Sequence, residues 1–232
     1  MNAPFEPFPD VPTLQQAVTD AFCDLVNETV AQRGTFNVSL SGGSTPKRVY
    51  ELLSQRNLPW DAIHWFWGDE RNVPPDHPDS NFRMVKTALL DQVPIPQANQ
   101  HPVPVNVDDP DDAARQYEQT LREHFQTGSP EWDLVLLGMG DDAHTASLFP
   151  GTDALSVRDR WFVQNWVPKF DAFRYTLTYP AIESGRNIWF LITGQAKRDA
   201  LQQVLQGPAD ADRYPSQKIK PTRWFVSADA CQ

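Results

Sequence analysis

The sequence predicts an α/β fold, doubly wound on a mostly parallel sheet with flanking helices, and three observations carry that prediction. Short apolar runs alternate with stretches of helical period along the chain, the order that strand–helix–strand units impose. The run Leu134-Val135-Leu136-Leu137 is apolar without alternation, as a strand covered on both faces of a parallel sheet must be. Three of the runs end in short loops of glycine and polar residues, at 41–45, 68–71 and 138–144. Parallel strands would bring all three loops to one edge, where ligands of such sheets bind.

Element by element, Thr13 with Gln16 three residues on forms a capping-box pattern that opens the first helix. Leu14, Ala17, Val18, Ala21, Phe22, Leu25, Val26 and Val30 mark one face of it, and Gly34 sits where a left-handed C-terminal cap belongs. Residues 35–40 read as a strand that stops at Ser41-Gly42-Gly43-Ser44-Thr45, with a second helix starting at Thr45 as N-cap and Pro46 behind it. The unit repeats with a strand over 63–67, the loop Gly68-Asp69-Glu70-Arg71, a proline-rich connection, and a helix capped by Ser80 that carries Phe82, Val85, Ala88 and Leu89. Acidic residues 108–112 suit the start of a helix over 113–125, with Tyr117, Leu121 and Phe125 on one face. A strand over 133–137 leads into Gly138-Met139-Gly140-Asp141-Asp142-Ala143-His144. Strands follow over 175–178 and 188–193, then a helix over 195–205 and a last strand over 224–227. No linker or repeat divides the chain, so residues 1–232 are expected to form a single α/β domain.

Composition narrows the partners. With 232 residues, 40% of them hydrophobic, the chain fills a real core. A net charge of −10 disfavours nucleic acid and anionic membrane as partners but leaves room for a small anion in a focused site. Two cysteines far apart, Cys23 and Cys231, fit a reducing cytoplasm rather than a disulfide scaffold. The first residues show no leader pattern, and no apolar run approaches the roughly 18 residues of a membrane span. Twenty-one prolines against eleven glycines point to stiff, defined loops. A monomer or weak homodimer is expected.

Residues 41–45 offer free backbone N–H groups, small hydroxyls and two glycines before a helix start, which suits an anion, though the same residues suit an ordinary tight turn. They are not a P-loop, since the lysine spacing is absent. Lys197 and Arg198 fall in the first turn of their helix, where the macrodipole disfavours cations; an anion shared with the serine–glycine loop would remove the conflict. Arg71 can fork onto phosphate oxygens, and Asp69 can hold a hydroxyl or orient a base, unless the two only form a local salt bridge. Gly138 to Ala143 match a dinucleotide-binding pattern superficially, but Asp141 and Asp142 would repel a pyrophosphate and Pro150 would break the helix. His144, beside Asp142, has the residue type for general acid–base work. His64, His77, His101 and His124 show no metal-ligand spacing, so no metal is expected. No Gly-x-Ser-x-Gly elbow is present.

Taken in order, the segments at 39–46, 67–71, 137–140, 144–151 and 193–197 resemble the 6-phosphogluconolactonases of the glucosamine-6-phosphate isomerase/6-phosphogluconolactonase family. The octet His144-Thr145-Ala146-Ser147-Leu148-Phe149-Pro150-Gly151 is the most specific of them. The resemblance implies hydrolysis of 6-phospho-D-glucono-1,5-lactone, a modified Rossmann fold of the sugar-phosphate isomerase/deaminase type, and no cofactor. It implies His144 as general base, with Asp142 or Asp69 orienting the imidazole or holding hydroxyls. Ser41, Gly42, Gly43, Ser44, Arg71 and Lys197 would bind the phosphate, and Arg174 is a weaker candidate contact. Ala143 departs from the family's usual glycine; a positive φ there would strain it by about 1–2 kcal/mol. The rival within the family is glucosamine-6-phosphate deaminase, whose acidic residue after the histidine is replaced here by Phe149, which moves no protons. An aldose–ketose isomerase would need that carboxylate too, and a non-catalytic sugar-phosphate sensor would not need His144.

Overall fold

The computed structural model describes residues 5–231. In chain order its elements are β1 (Phe5–Phe8), α1 (Val11–Arg33), β2 (Phe36–Leu40), α2 (Ser44–Leu53), β3 (Ile63–Trp67), β4 (Asp69–Arg71), α3 (Asn81–Val85), β5 (Gln100–His101), α4 (Pro110–Phe125), β6 (Leu134–Leu137), β7 (Phe162–Val167), β8 (Ala172–Leu177), α5 (Tyr179–Glu183), β9 (Ile188–Ile192), α6 (Arg198–Gln206) and β10 (Arg223–Ser227). Seven strands form one sheet in the order β1-β10-β9-β6-β2-β3-β5, and every pairing in it is parallel. The chain steps outward from β2 through β3 to β5, returns to β6, and steps outward the other way through β9 and β10. The reversal between β2 and β6 is a topological switch point, where loops leaving the strand ends diverge and open a crevice.

Burial follows the predicted pattern. All four residues of β6 and all five of β9 are buried, as two-sided cover requires. On α1, Leu14, Val18, Phe22 and Val26 are wholly buried, and Phe22 stacks on Trp65 of β3 at 6.0 Å between ring centroids. Gly34 caps α1 in the left-handed region, as expected. Ser80 caps α3, its side chain accepting from the Arg83 N–H at 3.2 Å, and Asp109 caps α4.

Three expectations need correction. Helix α1 begins before Thr13: Asp10 is the N-cap and accepts the Thr13 N–H at 2.7 Å, while Pro12 occupies the first turn. Helix α2 is capped by Gly43, not Thr45, and no side chain caps it; Thr45 instead bonds Thr193 across the crevice floor, Oγ1 to Oγ1 at 2.6 Å. Asp69–Arg71 is not a free loop but the strand β4, antiparallel to β8, which with β7 makes a second, three-stranded sheet. The sequence reading also passed over β1, β5 and β7. β1 contains Pro7, β5 has two residues, and β7 carries Gln164 and Asn165 among its apolar residues.

Candidate active site

Loops from both sides of the switch point line a cleft of ≈ 200 Å³: Ser41, Gly42 and Gly43 after β2, Asp69 and Arg71 on β4, Gly138, Met139, Gly140, His144 and Ala146 after β6, and Lys197 before α6. The end of the cleft at residues 41–43 is built by backbone. Gly43 takes φ 105, a left-handed value costly for other residues, and turns the chain straight into α2. Because no side chain caps that helix, its first N–H groups stay available to an anion. Tyr50 holds the loop from beneath: its hydroxyl donates to the Ser41 carbonyl at 2.8 Å and accepts the Ser41 N–H at 3.1 Å. Ser41 Oγ is buried and bonds none of the described residues. Ser44 faces a neighbouring cleft with Lys47, Arg83 and, from the shared wall, Gly43 and Arg71.

The chemical end centres on His144. Its Nδ1 lies 2.5 Å from Asp142 Oδ1, and its backbone N–H donates to the same oxygen at 3.2 Å. Lys169 Nζ reaches Asp142 Oδ2 at 2.9 Å and Asp141 Oδ1 at 3.2 Å. Burial opposes ionisation of Asp142, but the hydrogen bonds from His144 and Lys169 outweigh it and hold the carboxyl well below its ordinary value. The hydrogen bond with Asp142 correspondingly raises the Lys169 ammonium above its own. A carboxylate is an acceptor only, so it accepts a hydrogen bond from Nδ1–H, which keeps its proton, and leaves Nε2 with the free lone pair. Phe149 stacks on the imidazole at 3.9 Å between centroids and fixes its plane. The loop beneath is tied down by Gly140 N–H to the His144 carbonyl at 2.8 Å and by Ser216, whose N–H and hydroxyl both donate to the Ala143 carbonyl. Ala143 does take a positive φ, of 61°, so the strain expected of its departure from glycine is present.

Asp69 is held apart from this pair. Ser147 Oγ donates to its Oδ2 at 2.8 Å, and Asn81 Nδ2 to its backbone carbonyl at 3.0 Å. Between the two carboxylates weighed in sequence, Asp142 is therefore the one that touches His144. Arg71 lines the cleft and also bonds the Asp79 carbonyl, while Arg174, its cross-strand partner on β8, does not line the cleft and lies over the Phe170 ring. Burial, then the nearby Arg71 charge, lowers the Arg174 guanidinium below its ordinary value. Two arginines directly opposite repel, and a dianion against Arg71 would relieve that. Sequence reasoning missed Lys169 and Asn81, which lie outside the glycine loops and carry no local pattern. Ser147 and Gly140 it read only as members of the resembling segments 144–151 and 137–140, without the contacts they make here, and Phe149 it read further only as excluding a proton-transfer carboxylate.

The family model described as glucosamine-6-phosphate isomerases/6-phosphogluconolactonase matches residues 9–227. A 6-phosphogluconolactonase of Nostoc sp. is 46% identical over 236 residues, covering 99% of this chain and 98% of its own. One from Mycobacterium tuberculosis is 35% identical over 242 residues, with 99% and 98% covered. Among solved structures, the 6-phosphogluconolactonase from Trypanosoma cruzi superposes with a TM-score of 0.87 at 28% identity, over 99% of this chain and 97% of that one. A monomeric glucosamine-6-phosphate deaminase shares the fold, with a TM-score of 0.81 at 22% identity over 99% of this chain and 98% of its own.

Proposed function

The chain belongs to the glucosamine-6-phosphate isomerase/6-phosphogluconolactonase family, and we propose how it hydrolyses 6-phospho-D-glucono-1,5-lactone to 6-phospho-D-gluconate in the oxidative pentose phosphate pathway. The observation that carries the mechanism is the His144–Asp142 pair, joined at 2.5 Å on the wall of a cleft that also holds Arg71 and Lys197. The phosphate sits on the Ser41–Gly43 backbone and the α2 N-terminus, with Ser44, Arg71 and Lys197 supplying hydroxyl and charge. Arg174 acts behind Arg71 rather than on the substrate.

His144 Nε2 takes a proton from water as its oxygen bonds to the lactone carbonyl carbon, giving a tetrahedral oxyanion and an imidazolium. Asp142, already ionised, stabilises that imidazolium and keeps the ring in one tautomer; Lys169 holds the carboxylate in place. The oxyanion collapses, the bond from carbonyl carbon to ring oxygen breaks, and the imidazolium returns its proton to the departing oxygen. The open-chain acid then ionises and releases one proton to solvent. Asp69, fixed by Ser147 and Asn81, is placed to accept from a sugar hydroxyl. No step calls on a cofactor.

Deamination of glucosamine 6-phosphate would need a further carboxylate to move protons at the histidine. Phe149 covers that face of the ring. No helix among the described residues is long and apolar enough to cross a membrane, and the acidic net charge disfavours nucleic acid. The substrate is thus a small sugar-phosphate lactone, and we place the reaction in the cytoplasm, carried out by residues 1–232 as one catalytic unit in a monomer or weak homodimer. The test follows proton release from freshly generated 6-phosphogluconolactone, with ammonia release from glucosamine 6-phosphate as control. Fast acid release without ammonia is expected; ammonia release, or acid release no faster than spontaneous hydrolysis, would refute the reading.

A further inference from the structure

Three histidines that sequence spacing leaves unrelated meet by the β3–β5 edge of the parallel sheet, and none of them lines the lactone cleft. His64 stands at the second position of β3, His101 at the end of β5, and His124 in the last turn of α4. Phe66 pairs with His101 across the strands, and residues two apart on a strand share a face, so His64, Phe66 and His101 point the same way. Helix α4 covers that face and brings His124 down onto it. The ring centroids lie 5.5 Å (His64–His101), 4.6 Å (His64–His124) and 5.2 Å (His101–His124) apart. One ring nitrogen from each falls within 4.8 Å of the others.

We propose that His64, His101 and His124 form a binding site for a divalent transition metal of the zinc type, separate from the lactone cleft. Metal–imidazole bonds of about 2.0–2.1 Å meeting at a tetrahedral angle place two nitrogens about 3.3 Å apart. His64 Nδ1 and His101 Nε2 are 3.2 Å apart. The rings are also pinned as ligands need to be: His101 stacks on Phe66 at 4.2 Å and 7°, and His124 Nε2 is 2.8 Å from Asn37 Oδ1, the kind of outer contact that orients a ligating imidazole. The proton shared by His64 and His101 moves to the far nitrogen of its own ring when the ion enters, so no oxidant or added base is required. His64 and His124, though not His101, border a cleft of ≈ 430 Å³, from which a water would supply the fourth ligand. Asp133, on the same cleft, is already taken by Arg33 and the Asn37 N–H and is not a ligand. Imidazole donors favour zinc, cobalt, nickel and copper over magnesium or calcium.

The bound ion would tie β5, a two-residue edge strand, to β3 and α4. Metal-free full-length chain titrated calorimetrically with zinc chloride is expected to take up one ion per chain and to melt at a higher temperature with zinc present. Cobalt chloride should give the visible absorption of a tetrahedral, nitrogen-rich site. His101→Gln and His124→Gln should each weaken zinc uptake at least about tenfold while lactone turnover, which reports folding, is kept. If His101→Gln misfolds, His124→Gln on the covering helix carries the test alone. No stoichiometric uptake by the wild type, or uptake that survives in a folded variant, would overturn the site.

Discussion

At residue 140 any side chain would collide with the His144–Asp142 pair: a Cβ there would lie 1.9 Å from His144 Nδ1 and 2.6 Å from Asp142 Oδ1. Gly140 is thus what lets the imidazole and its carboxylate sit against the backbone of their own loop. Gly140→Ala is expected to displace His144 and lower kcat by roughly 100-fold with little change in overall stability, as activity assays and urea unfolding of the same preparation would show. Asp142 makes a second prediction, about pH. Its folded carboxyl is held below the ordinary value of 3.8, so the ion pairs contribute stability that is whole above that value and is lost as pH falls below it toward the folded one. The gap in urea midpoint between wild type and Asp142→Asn should therefore be constant from about pH 7 to about pH 5 and shrink toward about pH 3. A gap that widens with acid would contradict the assignment. His144 itself was legible in the sequence as an acid–base residue beside Asp142. The choice between Asp142 and Asp69 was not, because both follow strands that end at the same edge and only the folded loop decides which reaches the ring.

Elements explain how the cations and the anion site share one wall. Glu70 on β4 is only 2% exposed and gathers the start of α3, accepting the N–H groups of Asn81 and Phe82, both at 2.7 Å, and the Ser80 hydroxyl at 3.2 Å. Burial raises its carboxyl above the ordinary value in spite of those donors. Glu70→Gln puts an NH₂ group against N–H donors and should cost about 1–3 kcal/mol of stability. It should also raise KM for the lactone, since Arg71 and Asn81 lose their anchor; an unchanged KM and midpoint would show that β4 is set by β8 alone. Strand β3 was readable to its ends, because Ile63–Trp67 is apolar or aromatic throughout and stops at Gly68. Strand β4 was not readable: three charged residues make sense as a strand only when β8 pairs with them and their acids find buried donors. The N-cap of α2 was misplaced for a related reason. Thr45 has the side chain of a cap, but its partner, Thr193, lies far along the chain.

Across the whole molecule, strand order does what no local pattern announces. β2 and β6 are neighbours although β3, β4, β5 and the helices α2, α3 and α4 separate them in the chain, so the serine–glycine loop and the His144 loop face each other across the switch point. Lys197 joins from beyond β9 and completes the cationic wall in a chain whose net charge is −10. That contrast is a focused site in an otherwise repelling field, as a small dianionic substrate requires. The same parallel order sets His64 and His101 on the neighbouring strands β3 and β5, apart from the residues that line the cleft, leaving the two sites separable by substitution. In the proposed mechanism the loop at residues 41–45 holds the substrate and His144 supplies the chemistry, so turnover by His144→Ala at saturating lactone, corrected for spontaneous hydrolysis, is the most direct measurement. A kcat lower by roughly 10²–10⁴-fold with KM little changed is the expected result, whereas turnover equal to wild type would show that His144 is not the base.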